Sequence, residues 1–154
     1  MEITAHSRPF QLSSKTKDLI VFIICLICIF LFLTSAYGKI AEHSKFVHGL
    51  SRVAYIGIYS ELIGWLVPIT EVAISMLLII PKTYKLGLIG FIASMVVFTT
   101  YILSMILWAE KLPCHCNLII ERLTWGQHIW FNLTFIIIAT FALILKTNII
   151  KPKH

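Results

Sequence analysis

The sequence predicts an all-α, polytopic membrane protein built as a four-helix transmembrane bundle. Composition is the first reason. Of 154 residues, 58% are hydrophobic and 13% are charged, with a mean hydropathy of +0.90. A soluble domain runs at about 45–50% apolar and about 25% charged. These values exclude a soluble globular protein, a disordered chain and a collagen-like one. The second reason is the grouping of apolar residues into four runs, Leu19–Ala36, Leu62–Ile80, Leu86–Ala109 and Ile129–Leu145, with Glu71 the single charge within them. Each run has about the length a helix needs to cross a ~30 Å hydrocarbon core at ~1.5 Å per residue. Four such runs leave no polar elements to cover them, and in lipid only helices or closed barrels satisfy the backbone.

The length allows one domain. The expected division is a cytoplasmic tail over 1–18, a membrane domain over 19–145 and a basic cytoplasmic tail over 146–154. The chain is too short for a dinucleotide-binding enzyme that carries a separate catalytic domain. Ala36-Tyr37-Gly38 loosely resembles a signal-peptide cleavage site, but the apolar run before it is longer than a normal signal core.

The connections are unequal. Pro81–Lys85 reads as a tight hairpin that makes the second and third helices antiparallel neighbours. Gly87 and Gly90 thin the start of the third helix. Tyr37–Glu61 reads as a continuation of the first helix plus an interfacial segment, with Phe46, Val47, Leu50, Val53 and Ala54 at helix-like spacing.

Lysine and arginine set the expected orientation. The tails and the second loop hold Arg8, Lys15, Lys17, Lys82, Lys85, Lys146, Lys151 and Lys153, while the first and third loops hold Lys39, Lys45, Arg52, Lys111 and Arg122. Eight against five favours both termini in the cytoplasm and the Glu110–Gly126 loop outside. Tyr55, Tyr59, Trp65, Trp108, Trp125 and Trp130 then fall near the outer boundary, where an aromatic belt is expected. The formal net charge of +6 is first a topology signal on such a chain and only weakly a hint of nucleic-acid binding.

Two cysteine pairs differ in kind. Pro113-Cys114-His115-Cys116 lies in the outer loop. Thiols one residue apart can close a small disulfide ring, whose departure from relaxed geometry makes it easier to reduce. His115 between them would favour the thiolate. A static clip is the plainer reading, but a loop this small removes little chain entropy. A metal held by Cys114, His115, Cys116 and His128 is the weaker reading, because the spacing matches none of the familiar structural zinc patterns. Cys25 and Cys28 have redox-motif spacing inside an unbroken apolar helix, where packing as small hydrophobes is the expected role.

Glu71 is the leading intramembrane ionisable residue. A carboxylate at that depth is costly unless paired, neutral or wet. Lys39, just beyond the first helix, reaches it if that helix continues and packs on the second. His128 and Asn132 share one face of the fourth helix at i, i+4. They either line the same pocket as His115 or make interhelical hydrogen bonds.

Taken together, these motifs resemble a known family. Its pattern is matched by Tyr37-Gly38-Lys39-Ile40 with Phe46, by Pro68-Ile69-Thr70-Glu71, by Lys85-Leu86-Gly87-Leu88, and by Phe98-Thr99-Thr100-Tyr101. Pro113-Cys114-His115-Cys116 and Trp125, His128 and Asn132 complete it. The sequence resembles the methylamine-utilisation MauE family, within the DoxX-like superfamily of small four-helix membrane proteins. The resemblance implies a redox-associated protein of the bacterial inner membrane. It implies a thioredoxin-like extracytoplasmic partner and support of disulfide formation in the methylamine dehydrogenase small subunit. Quinone is the electron acceptor suggested by DoxX-type relatives.

Three classes of function follow. The first is a thiol–disulfide oxidoreductase, or its membrane electron-transfer partner, with Cys114, Cys116 and His115 catalytic and Glu71, Lys39, His128 and Asn132 lining the site. The second is a non-catalytic subunit that docks with other membrane subunits. The third is a transporter, which would need a clearer polar pathway than Glu71 provides. The exposed Cys-x-Cys favours the first, since a docking subunit has no need of it.

Overall fold

The computed structural model describes residues 13–53, 56–108 and 125–147. Among them there are helices and turns and no strand. Four helices are long and apolar enough to cross a bilayer. The expected all-α transmembrane bundle is the observed fold.

Helix α1 runs over Ser14–Ala41, with 28 residues. At ~1.5 Å per residue it is roughly 42 Å long and exceeds the ~30 Å hydrocarbon core. Val21, Ile24, Cys25, Cys28, Phe32, Ala36 and Lys39 form its buried stripe, at the three- and four-residue spacing of one helix face. The opposite face is as apolar as the stripe: Phe22, Leu26 and Phe30 are exposed. A helix that is apolar all round suits a lipid environment. Cys25 and Cys28 are buried free thiols within this stripe, which is the packing role expected of them.

At Glu42 the chain leaves helical geometry, its N–H donating to the Gly38 carbonyl at 3.0 Å. Helix α2, His43–Ser51, follows at once. It is the predicted interfacial segment. Phe46, Gly49 and Leu50 are buried while Lys45 and His48 stay exposed. A short 3₁₀ turn, Gly57–Tyr59, leads into α3. Glycine is required there, since a Cβ at Gly57 would lie 2.6 Å from the Ser51 carbonyl oxygen.

Helix α3, Ser60–Ile79, contains Pro68, which removes the N–H that would bond the Gly64 carbonyl. The turn after α3 is held by hydrogen bonds from the Thr83 and Tyr84 N–H groups to the Ile80 carbonyl, each 3.0 Å. Helix α4, Tyr84–Trp108, then runs back antiparallel to α3. Helix α5, Trp125–Thr147, closes the bundle. It begins four residues earlier than the apolar run in the sequence, because Trp125, Gly126, Gln127 and His128 join the helix.

Helix α1 packs on α3 and α5, and α4 packs on the same two from the opposite side. The diagonal pair α1 and α4 meet at Phe32 and Phe91, whose ring centroids are 4.4 Å apart. Around that contact Cys28, Leu88, Ala139 and Ala142 are wholly buried. At the hairpin end, Lys146 donates to Asp18 at 2.6 Å and lies over the Tyr84 ring, tying the start of α1 to the end of α5. The other end, which carries α2, exposes Tyr59, Trp65 and Trp130. These three share one end, as the expected aromatic belt requires; Tyr55 and the side chains of Trp108 and Trp125 lie outside the described residues.

Bilayer lipid is as apolar as the helices, so association depends on close packing of small residues. A Cβ at Gly87 would lie 2.8 Å from the Leu78 backbone nitrogen, and one at Gly90 would lie 3.2 Å from Ile74 Cγ1. Gly126 has nothing within 4 Å of such a position. Gly87→Val is therefore expected to push α4 from α3 and destabilise the protein by about 1–3 kcal/mol. Gly126→Ala is expected to leave stability unchanged. Thermal unfolding of both variants in detergent micelles checks the contrast, and equal behaviour would show that the α3–α4 approach is not close.

A buried lysine–glutamate centre as candidate functional site

The site begins with a charge that lipid cannot solvate. Glu71 stands midway along α3 and is 1% exposed. Because α1 continues past its apolar run, Lys39 comes to face it, and the Lys39 ammonium donates to Glu71 Oε1 at 2.8 Å. Ser35, one turn before Lys39 on the same face, donates its hydroxyl to the same oxygen at 2.8 Å. The Lys39 ammonium also donates to Ser35 Oγ. The three side chains form a closed triangle in which two opposite charges neutralise each other.

Aromatic rings replace water around the cation. Lys39 Nζ lies 5.9 Å from the Phe46 ring centroid and 5.6 Å from that of Phe98. Both distances are within cation–π range. Phe46 comes from α2 and Phe98 from α4, so three other elements converge on the end of α1. Helix α2 is held over this region by its fit to α3. Gly64 admits Val47 and His43, whose nearest atoms lie 2.6 and 3.1 Å from where a Cβ would be. The His43 ring packs on Trp65 with centroids 4.2 Å apart, and its Nε2 lies 3.3 Å from Glu61 Oε1.

Three polar atoms near this end carry no partner among the described residues. Glu71 Oε2, Asn132 Nδ2 and His43 Nδ1 are buried and make no hydrogen bond. Asn132 is 3% exposed on α5. His128, one turn earlier on α5, is half-buried and lies within electrostatic reach of Lys39. A cavity of about 270 Å³ opens between α3 and α4, lined by Leu66, Thr70 and Glu71 on one side and by Ala93, Val97 and Phe98 on the other.

Of the residues singled out in the sequence, the structure thus brings Lys39 and Glu71 into contact and sets His128 and Asn132 on α5 at the same end of the bundle. Cys114, His115 and Cys116 lie outside the described residues. The stretch that holds them joins the end of α4 to the start of α5, both at the α2 end. No group of three His, Cys, Asp or Glu side chains suited to a metal ion is found among the described residues. Sequence reasoning missed Ser35, although its i, i+4 spacing to Lys39 was a usable signal. Phe46 and Phe98 entered only as parts of a pattern; their enclosure of the ammonium is a tertiary fact.

The model of the family described as methylamine utilisation protein MauE matches residues 17–145. The chain belongs to the MauE family. The matched span takes in nearly the whole of the four long helices, the Lys39–Glu71 centre, and Cys114 and Cys116. No curated protein and no solved structure matches the chain. The protein is therefore a MauE-family membrane protein whose described polar centre is the Lys39–Ser35–Glu71 triangle.

The triangle makes a quantitative prediction. Removing one partner of a buried ion pair strands the other, which costs about 3–5 kcal/mol, whereas replacing both by apolar groups is often neutral or stabilising. Lys39→Met and Glu71→Leu should each lower stability by about that amount, and the double variant should recover most of the loss. Chemical unfolding in micelles measures all four proteins. A double variant that loses the sum of the two single effects would show that the charges are not coupled.

Proposed function

We propose that this MauE-family protein supports thiol–disulfide exchange in the maturation of an extracytoplasmic protein, of the kind the family description associates with methylamine utilisation. The observation that carries the proposal is Pro113-Cys114-His115-Cys116 inside the family match, on the connection between two membrane-crossing helices. In this reading both termini are cytoplasmic, in a bacterial inner membrane, and the α2 end faces outward.

The exchange runs in two steps. With Cys114 and Cys116 joined as a disulfide, a thiolate of a thioredoxin-like partner attacks one sulfur. The bond between the two cysteines breaks, a mixed disulfide forms, and the departing sulfur leaves as a thiolate and takes a proton. The partner's second thiol then resolves the mixed disulfide. The partner ends as a disulfide, and Cys114 and Cys116 end as two thiols. Reoxidation removes two electrons and two protons, for which a lipid-soluble acceptor of the quinone class is suited. His115 raises the thiolate fraction of its neighbours. Lys39, Glu71, His128 and Asn132 are assigned to the lining of the site at this end of the bundle.

Two experiments test the proposal. A membrane-impermeant maleimide applied to spheroplasts after mild reduction should label Cys114 or Cys116; labelling only after lysis reverses the orientation. Mixed with the disulfide form of a thioredoxin-like partner, Cys114→Ser or Cys116→Ser should trap a covalent adduct by the reverse exchange, because the neighbouring thiol that would resolve it is gone; the adduct is seen on a non-reducing gel and lost on reduction. Cys25→Ser and Cys28→Ser should trap nothing. Full function in both outer variants with no adduct removes thiol chemistry and leaves a docking subunit.

A further inference from the structure

Every carboxylate among the described residues is matched to a cationic or imidazole partner. Asp18 pairs with Lys146, Glu42 with Lys45, Glu61 with His43 and Glu71 with Lys39. Arg52, the residue that ends α2, pairs with none of them. Its guanidinium donates instead to His48 Nε2 at 2.8 Å, one turn back on the exposed face of α2. Ser44, Lys45 and Ser51 share that face, and Lys45 is matched by Glu42. At the α2 end, Arg52 is thus the arginine or lysine whose charge no carboxylate among the described residues balances.

The neighbours of Arg52 set its depth. Ser51, next to it, lies against Gly57, where a Cβ would come within 2.6 Å of the Ser51 carbonyl oxygen. Gly57 is also where the apolar span of Gly57–Ile79 begins. Arg52 therefore stands at the border between hydrocarbon and water, the level of lipid phosphates. From there Ile58, Leu62, Leu66 and Ile69 form an exposed apolar lane down α3, at the three- and four-residue spacing of one helix face. We propose that this end of α2 binds an anionic phospholipid, with the phosphate on the Arg52 guanidinium and the acyl chains along the lane.

Each property of the ligand follows from this placement. A guanidinium carries its N–H donors in a planar fork that fits two phosphate oxygens. His48 engages one edge of the group and holds it against α2, and the exposed side chain leaves the rest of the fork to the headgroup layer. Helix α2 is itself fixed, with Phe46 and Leu50 buried and His43 packed on Trp65, so little freedom is lost on binding. A zwitterionic head would bring its own cation beside Arg52, which an anionic head does not. A carboxylate on a soluble protein matches the charge but leaves the apolar lane unused. The inference goes beyond the thiol–disulfide reading and stands without it.

The tryptophans make the site observable. Trp65 near the start of α3, Trp108 at the end of α4, and Trp125 and Trp130 at the start of α5 all belong to the α2 end, and they are the four tryptophans of the chain. Quenching of their fluorescence therefore reports lipid at this end and not at the hairpin end, where Lys15, Lys17, Lys82 and Lys85 lie. The full-length protein is placed in phosphatidylcholine vesicles that contain a small fraction of phosphatidylglycerol brominated near the head of its chains, or of phosphatidylcholine brominated in the same way. Phosphatidylglycerol is expected to quench at a fraction about fivefold lower, the worth of one basic side chain facing an anionic head. Arg52→Gln should bring the two lipids to parity, Arg52→Lys should keep part of the difference, and Lys17→Gln should leave it unchanged. Equal quenching in the parent protein overturns the proposal and leaves Arg52 to an acidic protein surface. A preference that survives Arg52→Gln overturns it too, by placing the headgroup elsewhere. Glycerol phosphate added in water should not abolish the preference; if it does, the site reads free phosphate and the lipid assignment fails. Cys114→Ser should show the parent's preference, so failure here and failure of the thiol reading are separately visible.

Discussion

The structure depends on one ion pair placed where lipid would otherwise surround it. Glu71 at mid-helix cannot reach water along its own helix, and the bilayer offers no donors. Lys39 had an alternative. It lies past the apolar run of α1, and a lysine near a helix end commonly extends its stem to the interface. Here it is turned inward and is 8% exposed. Three features make that turn favourable. Ser35 binds both partners, Phe46 and Phe98 face the ammonium, and α2 folds back at Glu42 to bring Phe46 into place. Without the break at Glu42, α1 would continue away from the bundle and the ammonium would lose one of its rings.

The rest of the packing works with small residues. In a bilayer the gain from burying leucine is small, so helices hold together where backbones approach closely. Gly87 and Gly90 bring α4 against Leu78 and Ile74 of α3, and Ala139 and Ala142 bring α5 into the core beside Cys28 and Leu88. Cys25 and Cys28 belong to this group. At these sites a thiol is a small apolar filler, and its burial in the α1 stripe is the same event as the approach of α5.

The sequence made the helices legible because lipid permits so few solutions. Once four apolar runs were seen, the helical state of each followed from backbone hydrogen bonding, and the hairpin at Pro81 fixed α3 and α4 as neighbours. Helix α2 was legible from the spacing of Phe46, Val47 and Leu50. The pair of Lys39 and Glu71 was legible for a different reason: a single acid within the spans had few partners to choose from. Ser35 was only weakly legible: its i, i+4 spacing to Lys39 is a signal, but a hydroxyl in a membrane helix more often bonds its own backbone, as that of Thr34 does to Phe30 and Leu31. The cavity beside Glu71 was not legible, since it arises from how side chains of α3 and α4 fail to meet and has no signature in either helix alone.

The pair also fixes how α1 and α3 slide past each other. Two apolar helices in lipid have nearly degenerate registers, since one leucine contact is much like the next. A slip of one turn, about 5.4 Å, would separate the 2.8 Å contact between Lys39 and Glu71. It would strand a lysine and a carboxylate in an apolar medium, at a penalty of several kcal/mol. No rearrangement of leucines offsets that. The register that the pair selects is also the one that brings Phe46 over the ammonium and leaves Oε2 of Glu71 buried without a donor. The asymmetry of the carboxylate is thus tied to the constraint that aligns the bundle: one oxygen holds α1 to α3, and the other is buried without a hydrogen bond.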